Sequence, residues 1–435
     1  MENLTIGYIG VGIVMVLLAI RVPIAVALGT VSIGGIAIMR GPDSALGALG
    51  TLPFDFAASW SLSAVPMFLL MGAIAFHTGL TGSLYAAARL WLNKLPGGLA
   101  VASNFAAAGF AAASGSSLAT AAAMGRLAIP EMLKFGYDKA LATGTIAAAG
   151  TLGALIPPSI AFVIYGWFTE QPIGKLLIAG LLPGLLTAFM YAGMIIIRCM
   201  INPSLAPKTK IEATSAEKWA ALRQVWPLPL LILGVVGGIY GGLTTPSEAG
   251  AFGAFLALLI GFFQRRVNRI NFTKSVSEAL QTTASIFFIA IGAILLTRFL
   301  AIAGVPRFMA TVVGDMQLEP IHLVLAMSVV YVILGMFLDP LGLMLLTLPV
   351  FLPMFDVLNI DLIWIGVIVV KFLEIGLLTP PVGLNAYVVK GVVGDSVPLS
   401  TIFRGLLWFL GCEVIIMFLL IRYPQISLWL PSLMN

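Results

Sequence analysis

The sequence contains few charged residues for its length. Only 9% of its 435 residues are Asp, Glu, Lys or Arg, whereas 60% are hydrophobic. A soluble domain carries roughly 25% charged residues. This imbalance excludes a soluble globular protein and predicts a polytopic membrane protein. The formal net charge of +5 then bears on membrane orientation, and it does not indicate nucleic-acid binding.

Cysteine and histidine are also scarce. The chain has two cysteines, Cys199 and Cys412, and two histidines, His77 and His322, too few for a disulfide framework, a zinc site or a haem site. It contains no G-x-x-x-x-G-K-[ST] segment, so we expect no ATP hydrolysis, no enzymatic activity and no cofactor. The N-terminal stretch MENLTIGYIG lacks a basic region, so we expect a first membrane span there and not a cleaved signal.

Long apolar segments are abundant, and windows of about 20 apolar residues mark ten candidate spans. These cover residues 4–20, 23–39, 60–77, 140–168, 174–200, 224–241, 245–264, 275–299, 361–394 and 400–422. Two further apolar segments, 96–130 and 319–356, are too long for one span each. Their centres, ASGSS at 113–117 and LDPLG at 338–342, are polar or helix-breaking. We expect each to be a re-entrant hairpin of two half-helices.

Basic residues predict the orientation. The loop 201–223 holds Lys208, Lys210, Lys218 and Arg223, and the loop 265–274 holds Arg265, Arg266, Arg269 and Lys274. Two spans separate these loops, so they lie on one side, and the positive-inside rule makes that side cytoplasmic. Both termini are then expected outside. The mixed polar and apolar segment 81–95 is typical of an amphipathic arm at the membrane interface.

Two Pro-Pro pairs lie inside apolar stretches, at Pro157-Pro158 and Pro380-Pro381. An offset of 223 residues superposes the pairs, and the same offset places Gly153 on Gly376. Each half of the chain is therefore predicted to consist of a span, a hairpin, an interrupted span and a further span, in that order. Five spans separate the starts of the two halves, an odd number, which predicts an inverted repeat. One Pro-Pro pair would be explained as a kink, but two in register favour a functional site.

Inverted repeats with interrupted helices are typical of secondary transporters. Proline breaks a helix, and hydrocarbon tolerates the freed carbonyl and amide groups only where they line a polar cavity. Freed carbonyls suit Na⁺, and half-helix N-termini suit an anionic group. We therefore expect ion and solute sites where the hairpin tips meet the helix breaks. The predicted fold is an all-α polytopic membrane protein with an inverted repeat, two re-entrant hairpins and two interrupted helices.

Four segments carry a family resemblance. AAASGSSLATAAAMGRLAIPEM, GTLGALIPPS, GGLTTPSEAGAFGAF and GLLTPPVGLNAY resemble the DctM-type large permease subunit of TRAP (tripartite ATP-independent periplasmic) transporters. The resemblance spans nearly the whole chain. It implies Na⁺-driven uptake of an organic acid across the bacterial inner membrane by an elevator mechanism. It also implies two partners, a small four-helix membrane subunit and a periplasmic substrate-binding protein. We expect this chain to be unfused to the small subunit.

The resemblance further implies two cation sites, each built from a hairpin tip and an interrupted helix. The expected cation-binding residues are Ser114, Ser117, Gly150, Thr151, Gly153, Ile156, Ser159, Gly335, Phe337, Asp339, Gly376, Thr379 and Val382. Phe337 can contribute only its carbonyl oxygen. The residues that we assign to the substrate are Ser116, Pro157, Pro158, Pro380, Pro381, Asn385 and Arg298.

Several charged residues have two interpretations. Asp339 at a hairpin tip is either a functional membrane carboxylate or a helix cap. Arg298 either attracts an anionic solute or anchors its span at the interface. Lys371 and Glu374, three residues apart, either pair with each other or form part of a gate. Glu248 in TTPSEAG is expected to stabilise a helix start.

The predicted organisation has five parts. They are 1–95 (scaffold spans and arm), 96–168 (first half of the transport core), 169–318 (scaffold spans with the connector 201–223), 319–394 (second half of the core) and 395–435 (C-terminal span). We expect 96–168 and 319–394 to move as one block. The main alternative function is a stand-alone Na⁺- or H⁺-coupled carboxylate transporter of the same superfamily. A passive channel lacks a filter motif, and a serine protease using Ser114 lacks a positioned base.

Overall fold

The computed structural model describes residues 2–207 and 213–434. Lys208 and Lys210, two of the basic residues behind the predicted orientation, lie outside these ranges. Every regular element within them is helical, so the all-α prediction is confirmed.

The first half of the chain forms eleven α-helices. They are α1 (Glu2–Ala19), α2 (Ile24–Arg40), α3 (Pro42–Ala57), α4 (Ala64–His77), α5 (Leu80–Leu92), α6 (Gly98–Ser114), α7 (Ser117–Lys134), α8 (Lys139–Gly150), α9 (Ile160–Phe168), α10 (Ile173–Ala179) and α11 (Leu181–Ile201). The described part of the second half forms another eleven. They are α12 (Ser215–Arg223), α13 (Pro227–Tyr240), α14 (Pro246–Phe263), α15 (Arg269–Ala303), α16 (Val305–Asp315), α17 (Pro320–Gly335), α18 (Pro340–Val357), α19 (Leu362–Leu378), α20 (Leu384–Val393), α21 (Leu399–Arg422) and α22 (Gln425–Ser432).

Both predicted hairpins are present. In the first, α6 ends at Gly115, whose φ of +61° suits glycine, and the Ser116 hydroxyl accepts a hydrogen bond from the Ala119 amide at the start of α7. In the second, α17 and α18 meet at residues 336–339. The Asp339 carboxylate accepts hydrogen bonds from the amides of Leu341 and Gly342, so this residue does cap a helix.

Both predicted helix interruptions are also present. The first separates α8 from α9, and the second separates α19 from α20. The Pro157-Pro158 and Pro380-Pro381 bonds are both cis. In each case the chain leaves a helix, runs through the Pro-Pro pair and starts a new helix within a few residues.

The order of elements recurs as predicted. The first series is α4, α5, α6–α7, α8–α9 and α11, and the second is α15, α16, α17–α18, α19–α20 and α21. Gly79 before α5 and Gly304 before α16 both have a left-handed φ, of +69° and +79°. The arm predicted at 81–95 is thus α5, and it has a counterpart in α16 that the sequence interpretation missed.

The number of long helices is smaller than the number of predicted spans. Within 2–207 and 213–434, seven helices are long and apolar enough to cross a membrane, or eight if the bent pair α12–α13 is one span, against ten predicted. Six of the ten predicted spans are among the seven, and the seventh is α18 of the second hairpin. The two interrupted spans and the 17-residue α2 are too short to count, and 224–241 counts only as part of the bent pair. In addition, α3 was not predicted, and α15 extends well beyond the predicted 275–299.

The arm α5 contacts both the first hairpin and the connector helix α12. Arg89 forms an ion pair with Glu131 on α7. The indole of Trp91 donates to the Lys218 carbonyl on α12 at 3.2 Å, and its ring packs edge-on against Trp219. The connector helix therefore rests on the arm, and the arm is tied to the first hairpin.

Capping boxes begin two helices. Glu217 accepts a hydrogen bond from the backbone amide of Thr214 before α12, and this bond holds the pKa of the Glu217 carboxyl below its ordinary value. Glu248 makes the same contact with Thr245 before α14, at 2.7 Å. The structural interpretation of Glu248 is confirmed.

Candidate functional site

The first hairpin tip packs directly onto the first helix interruption, a region that we call the first junction. A Cβ at Gly153 would lie 2.5 Å from the Ser116 carbonyl oxygen, and a Cβ at Gly115 would lie 2.6 Å from the Pro158 carbonyl oxygen. The backbone amide of Ile160 donates to the Gly115 carbonyl at 3.4 Å. Glycine is required because the two backbones are too close for any side chain.

Hydroxyl groups surround this first junction. Ser114 and Thr120 share a hydrogen bond of 2.8 Å, and Thr151 donates to the Ala148 carbonyl at 2.7 Å. Ser159 donates to the Ala154 carbonyl and accepts from an amide of α9. A hydroxyl that donates its proton keeps lone pairs that can face a cation. Buried oxygen atoms of this kind are the ligands expected of a Na⁺ site.

Two further residues near the first junction differ in their surroundings. Asn385, from the second half of the chain, donates through Nδ2 to the Ala147 carbonyl at 3.0 Å and lies beside Gly150. Its Oδ1 atom is buried without a hydrogen-bond partner in the described part of the chain. Ile156 instead packs its side chain against Gly184 of α11, so only its backbone can serve the junction.

The second hairpin tip packs onto the second interruption through two glycines, and we call this region the second junction. A Cβ at Gly335 would lie 3.0 Å from Gly376 Cα, and one at Gly376 would lie 2.8 Å from Gly335 Cα. The Thr379 hydroxyl donates to the Ile375 carbonyl at 2.7 Å. Val382 is half-buried there. In both junctions, glycine thus allows close contact between the two backbones.

The two junctions differ in exposure. Pro157 and Pro158 are buried, whereas Pro380 and Pro381 are exposed. The Phe337 side chain at the second tip is 59% exposed. The second junction therefore lies nearer the protein surface than the first.

Polar contacts join the two halves of the core. The Ser117 hydroxyl at the start of α7 donates to Glu374 Oε2 on α19 at 2.6 Å. Lys371, one turn earlier on α19, contacts the Glu413 carboxylate of α21 at 2.6 Å, and Tyr191 of α11 donates to that carboxylate as well. Of the two interpretations of Lys371 and Glu374, mutual pairing is therefore wrong. The Glu374 side chain contacts α7, whereas the Lys371 side chain contacts α21.

A cavity of about 290 Å³, the central cavity, lies between both hairpin tips, the first interruption, α19 and α15. Ser116, Ser117, Asp339 and Glu374 line it from the core side. Thr282 and Ser285 on α15 are among the residues that line it from the opposite wall. The cavity thus separates the predicted moving block from a scaffold helix.

A second cavity of about 270 Å³ adjoins the central cavity, because Ser116 and Thr282 line both. Its lining includes Arg126 of α7 and a hydrogen-bonded pair, His77 Nε2 and Glu278 Oε2, at 2.7 Å. This second cavity runs along α15 toward the helix end that carries Arg269. The predicted orientation makes that end cytoplasmic.

Arg298 is not brought to either junction. It lies near the other end of α15 and lines an open groove of about 900 Å³ together with Arg40 of α2 and residues of α3. The Pro-Pro pairs that we assigned to substrate line neither the central cavity nor its neighbour. Among the predicted substrate residues, Ser116 is the one that faces the central cavity.

The chain matches the family described as "Tripartite ATP-independent periplasmic transporter, DctM component" over residues 11–426. It belongs to this family. The DctM chain is 36% identical to the C4-dicarboxylate TRAP transporter large permease protein of Pseudomonas aeruginosa over 91% of each chain. It is 31% identical to the ectoine TRAP transporter large permease protein of Halomonas elongata, over 96% of this chain and 97% of that one.

Another relative is longer. The isethionate TRAP transporter permease protein DctMQ of Oleidesulfovibrio alaskensis is 34% identical over 87% of this DctM chain but only 59% of its own length. Among solved structures, the YdaH transporter of Alcanivorax borkumensis superposes with a TM-score of 0.62. It shares 17% identity over 89% of this chain and 91% of its own, so the likeness concerns the fold alone.

Sequence reasoning missed three features of the site. Glu374 was considered only together with Lys371, as its partner or as part of a gate, although its position five residues before Thr379 places it beside the second interruption. Thr282 and Ser285 gave no signal, because hydroxyls in an apolar helix are common. Asn385 was assigned to substrate, and its contact with α8 of the other half could not be read from spacing.

Proposed function

We propose that this DctM chain is the large membrane subunit of a Na⁺-coupled tripartite transporter. It imports an organic acid that a periplasmic binding protein delivers, across the bacterial inner membrane. The observation that carries this proposal is the pair of junctions, in each of which a hairpin tip and a helix interruption meet through glycine. Interrupted helices of this kind hold coupling ions and solute in secondary transporters.

The first junction suits Na⁺ because its polar atoms are hydroxyl and carbonyl oxygens. Ser114, Thr151 and Ser159 each donate their hydroxyl proton elsewhere or share it, and the Asn385 Oδ1 atom is buried without a partner. A small cation with several oxygen ligands would satisfy these lone pairs. The positive charge would also compensate the desolvation of this buried region.

The second junction offers fewer side-chain ligands. Thr379 contributes a hydroxyl, and the backbone around Gly335 and Gly376 contributes carbonyl oxygens. Asp339 lies at the neighbouring tip, where one carboxylate oxygen accepts amide hydrogens of α18. A Na⁺ ion here would rest on carbonyl oxygens, with Asp339 supplying negative charge nearby.

An elevator motion fits the packing. Both junctions would travel together, since opening either one alone would separate a tip from the interruption that completes its cation site. The moving block would then extend beyond the predicted 96–168 and 319–394 to include α11 and α21, because the buried contacts of Lys371, Glu413 and Tyr191 tie those helices to α19. Breaking a buried ion pair in every cycle would be costly. The helix α15 would form the stationary wall.

Membership of this family implies partner proteins. A small four-helix membrane subunit and a periplasmic binding protein would complete the transporter, and the fused relative DctMQ fits this arrangement. The relatives carry the names of different solutes, so membership alone does not fix the substrate.

Uptake into proteoliposomes tests the proposal. The complete transporter should accumulate a labelled organic acid only with an inward Na⁺ gradient and only with the binding protein present. A pH gradient without Na⁺ should give background uptake. Equal uptake without the binding protein would support the stand-alone alternative, and uptake driven by pH alone would contradict Na⁺ coupling.

A further inference from the structure

The charged side chains that line the central cavity are unusual for a transporter of anions. Two carboxylates line it, those of Asp339 and Glu374, together with hydroxyls that include those of Ser116, Thr282 and Ser285. No Lys, Arg or His side chain is among its lining residues in the described part of the chain. A solute that carries only carboxylate groups would meet like charge on this wall.

Glu374 is the carboxylate without an obvious counter-ion. It is 2% exposed, and its Oε2 atom accepts the Ser117 hydroxyl proton, a neutral partner. The nearby basic residue, Lys371, is fully buried and directed to Glu413 at 2.6 Å. The charges of Lys371 and Glu413 thus compensate each other. A charge at membrane depth that lacks compensation is costly, so a cation is expected beside Glu374 in some step of the cycle.

The Na⁺ sites proposed above do not supply that cation. Their proposed ligands, such as Ser114, Ser159 and Thr379, do not line the central cavity, whereas Glu374 does. Asp339 also lines it, but there it supplies only negative charge near the second site. The space next to Glu374 is the space that the solute would occupy. The solute itself is therefore the natural source of the positive charge.

The same wall also offers a place for a carboxylate. The first turn of α7 begins at Ser117, and Ser117 and Leu118 line the cavity. The positive end of this 18-residue helix favours an anionic group, and a Na⁺ ion at the first junction would add to that preference. Ser117 thus lies between a site that suits an anion and Glu374, which suits a cation.

We propose that the central cavity takes a zwitterionic organic acid, with its ammonium-type group against Glu374 and its carboxylate at the start of α7. This inference rests on the proposed transport function and narrows its substrate class. A volume of about 290 Å³ holds a small solute, since a water molecule occupies about 30 Å³ in the liquid. Binding such a solute neutralises Glu374, whereas a dicarboxylate would add to its charge.

Matched probes test the charge preference. The purified chain, with its small subunit in nanodiscs and Na⁺ present, is titrated with acids of equal length that differ in one group. Suitable trios are 4-aminobutyrate, butyrate and succinate, and 5-aminopentanoate, pentanoate and glutarate. In each trio we expect the zwitterion to bind at least tenfold more tightly than the dicarboxylate.

Two variants test whether Glu374 causes the preference for the zwitterion. Glu374→Gln should reduce that preference at least tenfold and leave the Na⁺ concentration for half-maximal binding unchanged. Glu278→Gln is the matched control, because this carboxylate lines the adjacent cavity and not the central one. It should leave the preference unaltered.

Three results would overturn the inference. They are zwitterion binding no tighter than dicarboxylate binding by the native chain (no binding of either included), an unchanged preference in Glu374→Gln, or proton uptake on binding that this variant abolishes. The last result would make Glu374 a proton carrier. A dicarboxylate preference with intact Na⁺ dependence would contradict only the substrate class. Loss of Na⁺ dependence with the preference retained would contradict only the coupling ion.

Discussion

Lys371 on α19 and Glu413 on α21 form a buried ion pair, with Nζ 2.6 Å from the carboxylate and side-chain exposures of 0% and 2%. The pair holds an interrupted helix against the last long span. Because the two charges compensate each other, the chain tolerates them at membrane depth.

Removing one member should therefore destabilise the protein strongly. We expect Lys371→Met to lower the free energy of unfolding by about 3–5 kcal/mol, since Glu413 is left buried without its partner. The double variant Lys371→Met/Glu413→Gln should recover much of this loss. Thermal unfolding in detergent measures both, with the exposed Lys274→Met as control. A double variant no more stable than the single one would show that the pair is not coupled.

The glycine contacts at the junctions should be intolerant of a methyl group. Gly153→Ala and Gly376→Ala each place a Cβ within 2.8 Å of backbone atoms, so both should abolish most uptake. Gly391→Ala, where nothing lies within 4 Å, should behave like the native chain. Initial uptake rates at equal expression provide the measurement. Normal transport by Gly376→Ala would mean that the second junction opens during the cycle.

Hydroxyls at the junctions should influence Na⁺ affinity. Ser114→Ala and Thr379→Ala should each raise the Na⁺ concentration for half-maximal uptake about tenfold, which corresponds to about 1.4 kcal/mol. The loss of a hydrogen-bonding group to a charged ligand has this magnitude. Thr311→Ala, on the exposed face of α16, is the control. If both junction variants keep the native Na⁺ dependence, the coupling sites lie elsewhere.

The orientation can be tested by cysteine labelling in intact cells. Both native cysteines are buried, so we expect a low background from Cys199 and Cys412. Cysteines introduced at the exposed positions 223 and 265 should resist an impermeant maleimide, and one at position 317 should react. Reaction at 223 or 265 from outside would reverse the topology.

Fixing the moving block to the wall should stop transport. Positions 285 on α15 and 341 on α18 face the same central cavity, so a cysteine pair there should cross-link with a short reagent. Uptake should fall to background and return on reduction, while Na⁺ binding remains measurable. Each single cysteine controls for labelling. Native uptake by the fully cross-linked protein would contradict the elevator motion.

The sequence predicted the repeated part of this fold well. Hairpins and interruptions were found because Pro157-Pro158, Pro380-Pro381 and the two polar tips break apolar segments in register. The arm α16 was missed because its segment has only 11 residues and lies between two much longer apolar segments. The extent of α15 was underestimated because its polar first turns resemble a loop.

The candidate site was predicted less completely. Local backbone features, such as the contacts of Gly153 and Gly376, follow from composition and spacing. Contacts between distant parts of the chain do not, since the direction in which Lys371 and Glu374 leave α19 depends on which helices pack there. The Ser117–Glu374 contact, across 257 residues, became visible only in three dimensions.

The length of α15 has a consequence for the surrounding lipid. At 1.5 Å per residue its 35 residues extend over about 52 Å, well beyond the roughly 30 Å hydrocarbon core of a bilayer. The helix must tilt, project into water, or do both. Since α15 lines the central cavity, its tilt would set the direction in which the proposed moving block slides. Bilayers built from shorter or longer acyl chains should therefore change the transport rate without any change in the protein.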